Sequence, residues 1–196
     1  MKILILTDIH GQRRVLSSID RHLKYSNYDG VFMLGDLCNR DDSNALQFAN
    51  NFIDCIIKKH HLPLYCIHGN NEPDCVKLLY QQRDISVHFN PKKLVTYEVT
   101  NEVVGVGYGD AFPTDPQFAR GKILLTHEPP RVATLRIMET INFPNAPIIH
   151  FAGHLHSTEK IWQLKNLLFV QVPTAMTYKA AVLQLPESIV SFIPLA

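Results

Sequence analysis

Lys2-Ile3-Leu4-Ile5-Leu6-Thr7-Asp8-Ile9-His10 is an apolar run that stops at Thr7 and delivers two metal-capable side chains one residue apart. An apolar run of this length with no polar residue inside it reads as a strand buried on both faces. The same order returns twice. Val31-Phe32-Met33-Leu34 runs into Gly35-Asp36, and Leu64-Tyr65-Cys66-Ile67 runs through His68 into Gly69-Asn70-Asn71-Glu72-Pro73. Between the first two runs, Val15, Ile19 and Leu23 form one apolar stripe, which predicts an amphipathic helix over 12–25. Ala45, Ala49, Phe52 and Ile56 predict a second, with Asp42 or Ser43 to cap it and Lys58-Lys59-His60-His61 at its negative C-terminal end, before Pro63 breaks the chain. The first half is therefore β-α-β-α-β.

The period changes near residue 94. Leu94–Val99, Val103–Val106, Ile123–Leu125 and Ile148–Phe151 read as short strands, with one helix near 131–140. Lys160–Leu164, Leu167–Val172, Ala180–Leu185 and Ile189–Ile193 are strands separated by Asn166, Thr174 and Pro186, residues that punctuate hairpins. Strands this apolar in both halves leave no face for water. They predict two packed sheets with helices outside and the polar loops gathered beyond the carboxyl ends of the strands.

With 196 residues and 46% apolar content, the chain can bury a core as a single domain over 1–196. Nineteen basic residues against eighteen acidic ones give no global field to attract nucleic acid or an anionic membrane, so a nucleic-acid polymer is not the expected partner. The apolar runs are strand-sized, which excludes a membrane span, and the opening run is too short for a signal peptide. Cys38, Cys55, Cys66 and Cys75 lack a C-x-x-C spacing and read as reduced thiols in a cytoplasmic protein. Nothing in the sequence sets an oligomeric state.

The polar loops share one chemistry. Asp8, His10, Asp36 and Asn70 are followed by His127 and by Gly153-His154-Leu155-His156, seven oxygen and nitrogen donors that each close an apolar run. Singly, Gly35-Asp36 and Gly69-Asn70 are ordinary turn dipeptides. In this order they form a ligand set. Asp8 and His10 can reach one ion if the chain turns at the strand end, as Gly11 allows. A carboxylate placed like Asp36 can bridge two ions about 3.5–4 Å apart. Imidazole with carboxylate suits two divalent ions of the Mn2+ type, with Ni2+, Fe2+, Zn2+, Co2+ or Mg2+ as alternatives.

The order D-x-H, G-D, G-N, H and G-H-x-H resembles the calcineurin-like metallophosphoesterase superfamily over the whole chain, and in particular its small single-domain bacterial and archaeal branch. The resemblance implies a four-layer αββα fold of two mixed β-sheets packed face to face and flanked by helices. It implies that Asp8, His10, Asp36 and His156 bind one metal and that Asp36, Asn70, His127 and His154 bind the other. The expected activity is hydrolysis of a phosphodiester or another small phosphate ester by metal-activated water. The resemblance also keeps open a protein-binding scaffold, since members exist that hold partners on this fold.

Two positions depart from the pattern. Where the superfamily has a histidine after Gly-Asn, as proton donor to the leaving oxygen, this chain has Asn71. Where phosphoprotein phosphatases carry the aspartate that orients it, the stretch Gly35-Asp36-Leu37-Cys38-Asn39-Arg40 has Asn39. Arg40 remains to clamp a phosphate oxygen, beside the reading of it as a surface cation near Asp41 and Asp42. Asn71 and Arg40 are the substrate-facing candidates, and His10 or His68 is left to supply a proton. Losing a general acid costs roughly 10²–10⁴ in rate where the leaving group needs protonation, which favours diesters with good leaving groups over phosphoserine. His60 and His61 read as a solvated helix end, and His150 as a hydrogen-bonded core residue.

Overall fold

The computed structural model describes residues 1–88, 91–95, 100–115, 117–129, 147–164 and 167–195. Its first strand, β1 (Lys2–Leu6), sends alternate side chains to opposite sides. Ile3 and Ile5 enter one core and Leu4 and Leu6 another, all fully buried. That double burial is why the opening run is apolar throughout.

β1 pairs in parallel with β2 (Gly30–Met33), and β2 in parallel with β3 (Leu64–Cys66). The second sheet is built from β4 (Lys92–Val95), β5 (Thr100–Val106), β6 (Ile123–Thr126), β7 (Ile149–Ala152), β8 (Lys160–Leu164) and β9 (Leu167–Gln171). With β10 (Lys179–Gln184) and β11 (Ile189–Pro194), the sheets have the orders β11-β10-β1-β2-β3 and β4-β5-β6-β7-β9-β8. Both are mixed: the first is antiparallel through β11-β10-β1 and parallel through β1-β2-β3, and the second is parallel through β5-β6-β7-β9 and antiparallel at both edges. Ile3, Ile5 and Phe32 from the first sheet meet Ile123, Leu125, Phe151 and Val170 from the second in one buried cluster, so the sheets pack face to face as expected.

On the outer face of the first sheet, α1 (Arg13–Tyr25) buries Val15, Ile19 and Leu23, while α2 (Ala45–Asp54) buries Ala45, Phe48, Ala49 and Phe52. Neither helix has a side-chain hydrogen bond at its N-cap, so packing of the apolar stripe holds them. The cap of α2 falls on Asn44; Asp42 instead accepts from the Asn44 backbone N–H at 2.8 Å. A third helix, α3 (Asp74–Gln82), is absent from the sequence reading although Val76, Leu79 and Tyr80 are buried at helical spacing. It is short, and the polar Gly-Asn-Asn-Glu-Pro loop directly before it masks the start of its period. The outer face of the second sheet packs Val104, Val106 and Leu124 against Phe118 and Ala119. The helix expected near 131–140 lies outside the described residues.

Thr174 does not punctuate a hairpin. The chain crosses there from β9 in one sheet to β10 in the other, and Thr174 Oγ1 and Ala175 N bond the Asp8 and Thr7 carbonyls at 3.0 and 2.9 Å. Turn residues mark where a strand stops, not which sheet receives the next one. Among the described residues no helix is long and apolar enough to cross a membrane.

His150 is a core residue, fully buried on β7, with Nε2 2.8 Å from Thr126 Oγ1. Burial pushes its pKa down to about 3, so the folded chain keeps it neutral while the unfolded chain protonates it near 6.5. The unfolded state then binds the extra proton between those values. Stability is whole above the upper one and falls with pH through the window, by on the order of a few kcal/mol. Urea unfolding at about pH 7 and about pH 4 should show a smaller acid loss in His150→Leu than in the wild type. Equal losses would show that His150 does not carry the acid sensitivity.

Candidate metal centre

The sheet topology brings the ligand loops to one rim. Asp8, Asp36 and Asn70 follow β1, β2 and β3, three adjacent parallel strands, while His127 and His154 follow β6 and β7, adjacent and parallel in the facing sheet. Parallel strands share a carboxyl edge, so the loops converge. The backbone is bent to aim them. Asp8, His10, Asp36 and His154 have φ of 55°, 53°, 54° and 70°. Such left-handed backbone costs a non-glycine residue roughly 1–3 kcal/mol, which the surroundings must over-determine. Gly35, at φ 94°, is required by close approach as well: a Cβ there would stand 2.7 Å from His127 Nδ1 and 2.5 Å from Gly69 N.

Asp8, His10 and His156 place ligand atoms within 4.8 Å of one another, as do Asp8, Asp36 and His127. Asp36 Oδ2 lies 3.7 Å from His10 Nε2 and 3.4 Å from His127 Nε2, between the two groups of imidazoles. Asn70 Oδ1 lies 2.9 Å from both His127 Nε2 and His154 Nδ1. His156 Nε2 is 3.1 Å from Asp8 Oδ1. Arg40 is exposed, and its Nη2 donates to the Asn70 carbonyl at 2.8 Å, which holds it at the rim.

Neighbouring groups fix which ring nitrogen is available. His127 Nδ1 donates to the Leu34 carbonyl at 2.7 Å, and His10 Nδ1 lies 2.7 Å from Asn39 Oδ1. Each ring thereby keeps Nε2 for a cation, the usual arrangement of a ligating histidine with an oxygen acceptor behind it. Asn39 thus serves His10, and Asn71 serves Asp36: its backbone and side-chain N–H groups donate to the two carboxylate oxygens at 2.7 and 2.8 Å.

The electrostatics are those of carboxylates crowded by imidazoles. Burial alone would raise the Asp36 carboxyl, but His127 and Asn71 outweigh it and hold it at about 2. Asp8 is likewise lowered against its burial, through His10, His127, Thr7 and the His154 N–H. Burial works to lower His10 and His127, yet Asp8 and Asp36 raise them. The carboxylates thus favour positive charge at the imidazoles, a charge that a bound cation would supply.

Three further residues acquire their partners in the fold. Glu72 is buried, and its carboxylate accepts from Asp36 N, Leu37 N, Cys38 N and Gly69 N at 2.6–3.2 Å, tying the loops after β2 and β3 together. Its position in the motif was the available signal. Tyr108, beyond β5, sets its ring 5.9 Å from His127 and 5.6 Å from His154, and no sequence signal marked it. Asp110 takes His68, with Nε2 at 3.2 Å from Oδ2, and His88, with Nδ1 at 3.1 Å. His60 is not solvated as its helix-end position suggested: it is 2.8 Å from Asp20, because the last turn of α2 packs toward α1.

A family model for calcineurin-like phosphoesterases matches residues 1–158. The chain belongs to that family. No curated protein matches it in sequence. Among solved structures, the phosphoesterase is similar in fold to TT1561 of Thermus thermophilus, at TM-score 0.74 and 16% identity over 100% of this chain and 99% of that one. It is also similar to an archaeal phosphodiesterase, at TM-score 0.62 and 13% identity over the whole of both chains. YfcE, a phosphoesterase from E. coli, gives TM-score 0.50 and 14% identity over the whole of both. The family is metal-dependent, and the two clusters supply residues fit to hold metal.

Proposed function

We propose that this phosphoesterase holds two divalent ions and hydrolyses a phosphodiester, or another small phosphate ester with a good leaving group, acting in the cytoplasm as one domain. The observation that carries this reading is Asp36 Oδ2, set between His10 Nε2 and His127 Nε2. Asp8, His10, Asp36 and His156 would hold one ion and Asp36, Asn70, His127 and His154 the other, with Mn2+ favoured by the donor chemistry. When bound, such a pair supplies Lewis acidity and lowers the pKa of water.

The chain's own residues do the rest. Asn71 fixes both oxygens of Asp36, and Asn39 and Leu34 orient the imidazoles. Arg40 spends one N–H on the Asn70 carbonyl and keeps donors for a phosphate oxygen. His10 would commit Nε2 to the cation, and Asn71 and Asn39 stand where the acid and its partner would be, so the leaving oxygen takes its proton from solvent. Diesters with good leaving groups are the substrates this arrangement favours.

Metal-stripped protein should regain turnover of a chromogenic phosphodiester on addition of Mn2+. Restored metal without turnover of any mono- or diester would point to a protein-binding scaffold. Introducing an imidazole by Asn71→His should raise kcat/KM for poor leaving groups by about 10²-fold relative to activated ones. The same change for both classes would count against the missing-acid reading.

A further inference from the structure

Between α1 and α2 runs a groove of about 670 Å3, from Gly11 and Asp42 beside the strand ends to Asp20, Cys55 and Lys59 at its far end. At that far end Asp20 and Cys55 line the groove, and His60 stands beside them. Cys55 Sγ lies 3.5 Å and His60 Nε2 2.8 Å from Asp20 Oδ1, and the sulfur, nitrogen and oxygen atoms all fall within 4.8 Å of one another.

The backbone is irregular at this point. α2 widens into a π-turn over Cys55–Lys59, closed by a bond from His60 N to the Cys55 carbonyl at 3.1 Å. In a regular α-helix, residues five apart stand roughly 140° apart around the axis. The wider turn swings His60 round to the side of Cys55, and such insertions are frequent at functional sites. Asp20 divides its carboxylate. Oδ2 pairs with Lys59 Nζ at 2.6 Å, which leaves Oδ1 to face the sulfur and the imidazole. Cys55, which lines the groove, and His60 behind it are both half-buried.

We propose that Asp20, Cys55 and His60 form a further metal site, separate from the strand-end ligands and open to the groove at its fourth position. Thiolate, imidazole and carboxylate together select a borderline ion of the Zn2+ type over Mg2+ or Ca2+, which prefer oxygen alone. Without a cation, burial and Asp20 push the Cys55 thiol up to about 12, and a bound ion takes the place of that proton.

Co2+ added to the full, metal-stripped, reduced protein reads the site directly, because a thiolate ligand gives a charge-transfer absorption that imidazole and carboxylate do not. Cys55→Ser should abolish the band with an unchanged circular dichroism spectrum, and Asp36→Asn should leave it in place. His60→Gln, a milder change, should weaken Co2+ binding at the sulfur by more than the roughly 10–100-fold cost of an outer-shell loss. A wild-type protein without the band would overturn the site and leave an ion-pair cluster only. So would a band that survives Cys55→Ser, which would put the sulfur at exposed Cys75, or an affinity indifferent to His60. None of these outcomes depends on phosphoesterase activity.

Discussion

Asp36→Asn is expected to lose bound metal and kcat/KM together, by on the order of 10³-fold or more. Asp36 Oδ2 stands between His10 Nε2 at 3.7 Å and His127 Nε2 at 3.4 Å, and both carboxylate oxygens already accept from Asn71. An asparagine presents one acceptor and one donor where two acceptors are needed. Its amide nitrogen would face either the Asn71 N–H groups or the imidazole edges, and the charge that offsets a cation would be gone. The carboxyl is held at about 2 in the fold, because His127 and Asn71 outweigh its burial, so the anion is the form the site is built around. Metal content by elemental analysis and diester turnover check this together. A variant that kept both metal and rate would sink the bridging role of Asp36.

Glu72→Ala is expected to cost about 3–5 kcal/mol of stability, because it leaves several buried backbone donors without their acceptor. The carboxylate is fully buried and takes four backbone N–H groups from two loops. Hydrogen bonds to a charged acceptor contribute about 1.5–3 kcal/mol each, and buried donors left without an acceptor add their own desolvation cost. Glu72→Gln keeps the shape but turns an amide NH2 toward backbone donors, so it should be nearly as damaging. Both variants should also weaken metal binding, since Asp36 N and Gly69 N are the groups that Glu72 holds. Urea unfolding with metal titration measures the two effects. A loss below about 1 kcal/mol would mean that water satisfies those donors and that Glu72 is not the tie between the loops.

The strands were legible because double burial writes itself into composition. Ile3, Leu4, Ile5 and Leu6 must all be apolar when alternate side chains enter different cores, and the same holds for Phe32 and Met33. The helix α3 was equally present in Val76, Leu79 and Tyr80, but a loop dense in polar residues stands before it. The crossing at Thr174 was not legible. A polar break after β9 looks the same whether the next strand pairs locally or returns to β1 in the other sheet.

By itself the sequence determined which side chains carry donors and that each closes a buried strand, since residue chemistry and apolar period are local properties. Only the tertiary structure decided which donors meet. It put Asp36 between imidazoles from two loops, Asn39 behind His10 and Glu72 under both the Gly-Asp and Gly-Asn turns. It also brought Asp20 on α1 to Cys55 and His60 at the end of α2. Those distances follow from strand order and helix packing between segments far apart in the chain, and no local pattern encodes them.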